Sequence, residues 1–268
     1  MGVGLQTTTR VRPRKFQSYE PIPNNDKTMK INRRTMLAAL VAGSSASLLA
    51  QEPTKSDPTL YIPRTHRVED LKLLQDFMDE YAFVDLVTSS PTLRITHIPV
   101  ILERTTGNYG KILGHISRQN PQNQMFDGGA TATIVFRGPH GYISPTWYAK
   151  KDVVPTWNFA VVHATGRPSA ITDKAVLHKL LSRLIAKFES YENSGYDFSK
   201  LPESYVNPML GGIVGFEMQI ESVEGKFKLG QERSDADKQG ILEHLGRTSR
   251  RERSLADLTA SFYQRRQI

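Results

Sequence analysis

Both tryptophans of the chain lie in one region rich in glycine and proline, interleaved with histidine, tyrosine and serine. The region reads GPHGYISPTWY over residues 138–148 and VPTWNFAVVHATG over residues 154–166. Glycines let a backbone approach a ligand closely, and aromatic side chains present large flat apolar faces. The region therefore predicts a binding site for a flat ring, with Tyr142, Trp147 and Trp157 as its walls.

A polar segment, GHISRQNPQ at residues 114–122, follows a predicted strand and supplies groups that bind anions. Arg118 carries a planar fork of donors that suits phosphate oxygens. A ring wall combined with an anion site is what flavin mononucleotide (FMN) requires, so we predict a flavin, with haem as the alternative cofactor. The spacing alone leaves an alternative to phosphate binding, in which Arg118 only caps a loop and Asn120 only shapes a turn before Pro121.

Lys226 and Lys228, in EGKFKLGQ, alternate with Phe227 on a predicted strand and so face the same side. They are candidates for a phosphate or ring-carbonyl contact, and a solvated strand edge is the alternative. The predicted cofactor-binding residues are His115, Ser117, Arg118, Asn120, His140, Tyr142, Ser144, Trp147, Trp157, Asn158, Lys226 and Lys228. For the histidines the alternative is a buried imidazole bonded to the backbone, and for the tryptophans it is the core or a subunit interface.

The sequence lacks the residues that several kinds of catalytic or metal site require. There is no cysteine, which excludes disulfides, thiolate metal sites and cysteine nucleophiles. The seven histidines are scattered without His-x-x-x-His or Glu-x-x-His spacing, so we predict no metal site. No Gly-x-Ser-x-Gly elbow, GxGxxG or phosphate-loop sequence occurs, so catalytic residues remain unassigned and enzymatic activity stays an open question.

The periodicity of apolar residues predicts more short β-strands than helices. Helical spacing predicts helices over residues 67–81, from an Asp173 cap through Tyr191, and from about Ser234 to Leu245. Strand patterns fall between them, and GIVGFEMQIESVEGKFKLG predicts two strands joined by a turn at Glu224 and Gly225. We predict a mainly β (α+β) fold, a closed or nearly closed barrel with peripheral helices.

The charge of +8 belongs to the two ends of the chain. Residues 1–57 carry nine Lys/Arg against four Asp/Glu, and residues 246–268 carry six against two, which leaves −1 between them. We predict a basic segment with a linker at 1–57, one domain at 58–245 and a basic, mobile tail at 246–268. The near-neutral body argues against a domain that grips DNA.

Residues 29–50 have the layout of an export signal. Lys30, Arg33 and Arg34 precede an uncharged apolar run, and the arginine pair resembles a twin-arginine signal. The run is shorter than the roughly 20 residues that span a bilayer, so we expect no stable membrane anchor. Export, to the periplasm in a bacterium, is expected if this signal is used, and a cytoplasmic location otherwise; a disordered basic arm and a transit peptide are the alternatives.

A set of motifs in fixed order resembles the PaiB family of FMN-binding negative transcriptional regulators. They are YIP (61–63), THIP (96–99), GHISRQNP, FRGPHGYISPTWY, VPTWNFAVVHATGR, GIVGFE and EGKFKLGQ. The resemblance implies a split β-barrel of the flavin reductase type, a homodimer with FMN between subunits, and phosphate held by GHISRQNP. The chain departs from the family pattern at Asn123, Gly230 and Glu232. DNA is a partner only through this resemblance; the alternative function is an exported flavin-dependent oxidoreductase or flavin carrier.

Overall fold

The structure is a computed structural model that describes residues 58–150, 152–192, 194–247 and 250–266. The predicted export signal at 29–50, and the rest of the segment 1–57, lie outside the described residues. No helix in the described part of the chain combines the length and the apolar character needed to cross a bilayer.

Seven antiparallel strands form a sheet that closes on itself. They are β1 (Arg67–Val68), β2 (Phe83–Thr88), β3 (Arg94–Glu103), β4 (Lys111–Ser117), β5 (Ala132–Ile143), β6 (Thr156–Ile171) and β7 (Ile213–Lys228). The strand order is β1-β7-β4-β3-β2-β5-β6, and β6 also pairs with β7, which closes the barrel. The prediction of a mainly β split barrel with peripheral helices is confirmed.

Strand β6 shows how side-chain alternation divides the barrel wall into two faces. Its inward side chains are Asn158, Ala160, Val162 and Ala164, all of them buried. The intervening side chains from Trp157 to His163 face outward and are more exposed. Inside, Phe136, Phe216 and Met218 are fully buried, and each such side chain contributes about 1.5–3 kcal/mol to folding.

Five helices surround the barrel. They are α1 (Leu71–Glu80), α2 (Lys174–Glu192), α3 (Glu203–Gly211), α4 (Asp235–Arg247) and α5 (Arg250–Arg266). Asp70 starts α1 by accepting a hydrogen bond from the Leu73 amide, and Asp173 caps α2 through the Val176 amide as predicted. Helices α1, α4 and α5 contribute side chains to the main core, whereas α2 packs Leu180 and Leu184 on the outer side of β3 and β4.

Ion pairs join α1 to its neighbours. The Asp79 carboxylate accepts from Lys187 of α2 at 2.6 Å and pairs with Arg104 at 3.1 Å. Burial acts to raise the pKa of Asp79, but the hydrogen bonds from Lys187 and Arg104 outweigh it and hold that pKa below its usual value. The charged form of Asp79 therefore contributes to the docking of α1 on α2.

One prediction from the sequence, a turn within the segment that forms β7, is wrong. The predicted turn at Glu224 and Gly225 is absent, because β7 continues unbroken from Ile213 to Lys228. Gly225 pairs with Val68 of β1 on one side and with Val162 of β6 on the other. A β-carbon on Gly225 would lie 2.2 Å from Leu74 Cδ2, so this glycine makes room for α1 rather than for a turn.

The carboxyl-terminal tail also differs from the prediction of a mobile segment. Residues 250–266 form helix α5, which buries Leu255, Thr259 and Phe262 against the main core. The three side chains lie at i, i+4 and i+7 and so share one helix face. The arginines around them obscure this stripe in the sequence. Helix α3 begins after Pro202 and contains Pro208.

A bulge interrupts strand β5 between Arg137 and His140. Arg137 pairs with Val161, and His140 pairs with Phe159, so the register shifts by one residue across Gly138 and Pro139. Phe77 of α1 packs against the bulge, and a β-carbon on Gly138 would lie 2.7 Å from its ring. The bulge re-aims the side chains that follow it along β5.

Candidate functional site

Three cross-strand rows of side chains lie on the outer face of β5, β6 and β7. The rows are Arg137, Val161 and Lys226; His140, Phe159 and Lys228; and Tyr142 with Trp157. Neighbouring strands are about 4.8 Å apart, so the members of a row are in reach of one another. The register therefore brings together five of the predicted site residues: His140, Tyr142, Trp157, Lys226 and Lys228.

A groove of about 310 Å³ follows these rows. Its lining residues are Arg137, Gly138, His140, Trp157, Phe159, Ala160 and Val161. The lining combines residues 159–161 of β6, Phe159 among them, with residues at the bulge in β5. Such a groove presents apolar and aromatic surface to a flat ligand.

A hydrogen bond from Trp157 determines the tautomer of His140. The indole N–H donates to His140 Nδ1 at 3.0 Å, so Nδ1 is the unprotonated nitrogen of the imidazole. The two ring centroids are 5.8 Å apart, and the Tyr142 ring meets Trp157 edge-on at 6.3 Å. Trp157 and Tyr142 are each 47% exposed, so this aromatic wall is accessible to a ligand or to another chain.

Two lysines lie beside the groove on β7. Lys226 Nζ lies between two aromatic rings, 5.4 Å from the centroid of Phe159 and 5.5 Å from that of Tyr61, and donates to the Tyr61 carbonyl at 2.9 Å. Lys228 Nζ donates to Thr156 Oγ1 at 2.5 Å. Neither ammonium group forms an ion pair with a carboxylate among the described residues, so both charges are available to an anion.

His66 and Glu232 lie next to the lysines. Their side chains are 3.7 Å apart, and Glu232 also lies 3.8 Å from Arg233. Burial lowers the pKa of His66, with Glu232 acting in the opposite direction. Glu232, one of the departures from the family pattern, is thus accompanied by a basic side chain and does not pair with Lys226 or Lys228.

The GHISRQNP segment lies in another part of the fold, away from the groove. His115 of β4 pairs with Gly215 of β7, and Ser117 pairs with Ile213. Lys228 is thirteen positions further along β7 than Gly215, which corresponds to about 43 Å in a straight strand. The structure therefore does not bring this segment to the groove of the same chain.

Arg118 holds the junction between α3 and β7. Its Nε donates to the Gly211 carbonyl at 2.7 Å, and its Nη2 donates to the Ile213 carbonyl at 3.0 Å. These carbonyls end the helix and begin the strand, so the guanidinium acts as a C-terminal cap. This is the alternative that spacing left open for Arg118, and its contact with phosphate stays a prediction.

Asn120 and its neighbours form a hydrogen-bond network under the same loop. Asn120 Oδ1 accepts from the Gln122 amide at 3.0 Å, and Nδ2 donates to Thr96 Oγ1 at 2.8 Å. The side chain of Gln122 is fully buried and donates to the Leu86 carbonyl at 3.1 Å. The Asn-Pro-Gln sequence thus fixes the loop to β2 and β3. Ser117 is exposed and accepts from the Gln119 amide.

His115 has a partly desolvated imidazole. Its Nδ1 is buried and finds no hydrogen-bond partner within the described chain, and burial lowers the pKa of the side chain. The imidazole is consequently neutral near pH 7 and retains an unused polar atom.

Three other predicted residues lie outside the groove. Trp147 stacks on His244 of α4, with ring centroids 5.3 Å apart and planes 11° apart, which fits the packing alternative. Ser144 caps a short 3₁₀ turn, Pro145–Trp147, by accepting from the Thr146 amide. Asn158 points into the barrel interior, where its Nδ2 has no partner among the described residues.

Several residues that line the groove or contact its lysines were not predicted from the sequence, among them Arg137, Phe159, Tyr61 and Thr156. Phe159 had a usable signal, because it shares the period-two face of Trp157. Arg137 had none, since its place beside the groove depends on pairing with Val161.

Comparisons with known proteins agree with this architecture. The family profile described as "Putative FMN-binding domain" matches residues 60–222. The chain is 32% identical over 187 residues to protease synthase and sporulation protein PAI 2 of Bacillus subtilis (strain 168), covering 69% of this chain and 89% of that protein. It is 28% identical over 230 residues to an uncharacterized protein of Emericella nidulans, covering 70% and 92% respectively.

Solved structures with a similar backbone include two flavoproteins. The FAD and heme binding protein from Mycobacterium smegmatis gives a TM-score of 0.45 at 14% identity, covering 64% of this chain and 78% of that one. The flavocytochrome Anf3 from Azotobacter vinelandii gives 0.43 at 13% identity, covering 62% and 72%. The profile match extends over more than half of the sequence, and the chain therefore belongs to the PaiB-like family of FMN-binding domains.

Proposed function

We propose that the outer-face groove is the FMN site of this protein. The observation that supports it most directly is the pair of lysines, free of carboxylate partners among the described residues, beside an exposed aromatic wall. In this proposal Trp157 and Phe159 hold the ring, and Lys226 and Lys228 hold the phosphate. The residues fit the cofactor, since a ring needs apolar faces and a phosphate needs donors.

Bound FMN supplies electron or hydride transfer chemistry. The residues of the chain provide the surroundings for it: His140 is held by Trp157 with Nδ1 as an acceptor, which leaves Nε2 as the protonated nitrogen. A protonated imidazole nitrogen or the Tyr142 hydroxyl near a ring edge donates a proton or a hydrogen bond.

We also propose that the protein is a homodimer that buries this face. Large apolar side chains on the same face of the sheet are exposed, including Phe83 at 68% and Ile95 at 53%, and Tyr61 beside it at 82%. Exposed apolar patches of this kind mark interaction surfaces. A second copy also offers a way for the GHISRQNP loop, remote from the groove in its own subunit, to approach the flavin.

Two functions are compatible with an FMN-binding dimer. The resemblance to the PaiB family supports a negative transcriptional regulator. Residues 58–245 carry a net charge of −1, and an excess of positive charge, +4, belongs to residues 246–268, the region of α5. A barrel without excess positive charge favours the second candidate, an oxidoreductase or flavin carrier without a DNA role, because DNA binding needs basic surface. Export through the segment 29–50 would also separate the protein from chromosomal DNA.

An absorbance spectrum of freshly purified protein tests the cofactor, because oxidised flavin and haem absorb at different wavelengths. A flavin spectrum together with saturable binding of added FMN is the expected result, and a haem spectrum or no binding would reject the proposal. Gel-shift assays then separate the two functions: sequence-specific retention at physiological salt supports the regulator, and its absence supports the second candidate. Intact-mass measurement of the native protein shows whether Arg33 and Arg34 have been removed.

A further inference from the structure

The turn that ends β7 is held by hydrogen bonds within the turn, to the backbone of Thr65 and to helix α5. Gly230 adopts a positive φ of 79°, a conformation that favours glycine. Gln231 Oε1 accepts from the Leu229 amide at 2.9 Å, and its Nε2 donates to the Phe227 carbonyl at 2.6 Å and to the Thr65 carbonyl at 3.0 Å. The turn directly follows Lys228, so whatever fixes it also fixes the end of the strand.

Helix α5 makes the remaining contacts to this turn. The Tyr263 hydroxyl donates to the Leu229 carbonyl at 2.6 Å, and it lies 3.5 Å from where a β-carbon on Gly230 would be. The rings of Phe262 and Phe227 are 5.6 Å apart. Burial raises the pKa of Tyr263 far above its usual range, so the hydroxyl remains a donor at all physiological pH values.

Side-chain alternation connects these contacts to the proposed phosphate site. Phe227 and Leu229 are fully buried, whereas Lys226 and Lys228 lie on the opposite side of β7. Helix α5 contacts Phe227 and Leu229, the two residues that alternate with Lys226 and Lys228 along the strand. The family profile ends at residue 222, so this support lies beyond the matched region.

We infer that α5 positions the anion-binding end of β7, with Tyr263 and Phe262 as positioning residues for Lys226 and Lys228. The inference rests on the proposed FMN site and extends it to a helix that does not line the groove. The Tyr263 hydroxyl fixes the backbone at Leu229, and the Phe262 ring supports Phe227 between the two lysines.

The test compares Tyr263→Phe with Leu184→Ala in the full-length protein. The first change removes one hydroxyl, and the second removes packing between α2 and the opposite part of the sheet. Two quantities are measured: amide hydrogen exchange of residues 226–230 without flavin, and the ratio of riboflavin to FMN dissociation constants. Riboflavin lacks the phosphate, so the ratio reports on the lysines and not on overall stability.

Tyr263→Phe is expected to accelerate exchange at residues 226–230 and to weaken FMN binding about three- to tenfold, the equivalent of one hydrogen bond, with little effect on riboflavin. Leu184→Ala is expected to lower the melting temperature without changing the ratio. Unchanged exchange, or an unchanged ratio, in Tyr263→Phe would overturn the inference. Failure of the wild-type protein to bind either flavin would instead reject the FMN site itself, and the inference with it.

Discussion

Replacing Lys226 by methionine is the most direct test of the proposed phosphate site. Methionine keeps the apolar stem between the Tyr61 and Phe159 rings but removes the ammonium group that lies 5.4 Å from Phe159. A unit charge about 4 Å from a phosphate oxygen interacts by about 4 kcal/mol at an effective dielectric constant near 20. Solvent near this partly buried position reduces the net effect to about 1.5–3 kcal/mol, the range for a hydrogen bond to a charged group.

That free energy corresponds to FMN binding that is about 10- to 150-fold weaker in Lys226→Met. Flavin fluorescence titrations measure the dissociation constants, with riboflavin as the matched ligand. Because riboflavin has no phosphate, its affinity should be nearly unchanged. The FMN effect should also shrink at high salt, since screening weakens exposed charge pairs.

Lys200→Met is the control variant. Lys200 is exposed and lies 3.7 Å from Asp197, and it belongs to a 3₁₀ turn, Phe198–Lys200, and not to the sheet. It should leave both flavin affinities unchanged. Equal loss of FMN and riboflavin binding in Lys226→Met would show that the lysine contacts the ring or maintains the fold, and an unchanged FMN affinity would remove it from the site.

Four further predictions concern other parts of the molecule. With two tryptophans in the chain, FMN should quench fluorescence strongly in Trp147→Phe and weakly in Trp157→Phe, because only Trp157 lines the groove; the opposite pattern would place the flavin near α4. Phe83→Asp should convert the dimer to a monomer in sedimentation experiments while Tyr191→Asp on α2 leaves it intact, and a dimeric Phe83→Asp variant would assign the interface to another surface. Arg118→Ala should lower the free energy of unfolding in urea by about 1–2 kcal/mol through loss of two hydrogen bonds, and unchanged stability would contradict the capping role. Asp79 has a lowered pKa in the folded protein, so its stabilisation is present above its unfolded pKa near 3.9 and is lost as pH falls through the folded value; Asp79→Asn should flatten the acid limb of a stability-against-pH curve, and an unaltered limb would show that the Lys187 pair contributes nothing.

The local patterns of the sequence predicted much of the barrel because they depend on near neighbours along the chain. The alternation in β6 gave the two faces that the structure shows, and the Asp173 cap marked the start of α2. Gly225 misled because a glycine that admits a packed leucine has the same sequence signal as a glycine in a turn. Helix α5 was missed because its apolar stripe is narrow and its arginines dominate the composition.

The site was less predictable, because its assembly depends on strand register. Nothing in the chemistry of Arg118 or Trp157 shows that one lies near the start of β7 and the other opposite its end. The sequence supplied residue types suited to a flavin, but it did not show which of them share a row across three strands. Arg118 illustrates the difficulty, since a fork of donors suits two backbone carbonyls as well as it suits a phosphate.

The bulge in β5 determines which side chains of this strand face the groove. Arg137 and His140 both face outward although they are separated by three positions, which an unbroken strand would place on opposite sides. If the same residues formed a regular pleat without the bulge, His140 and Tyr142 would turn toward the hydrocarbon interior and Ile143 toward water. The one extra residue held in the bulge therefore decides which side of this end of β5 faces water and which faces the core, with no change in the identity of any side chain.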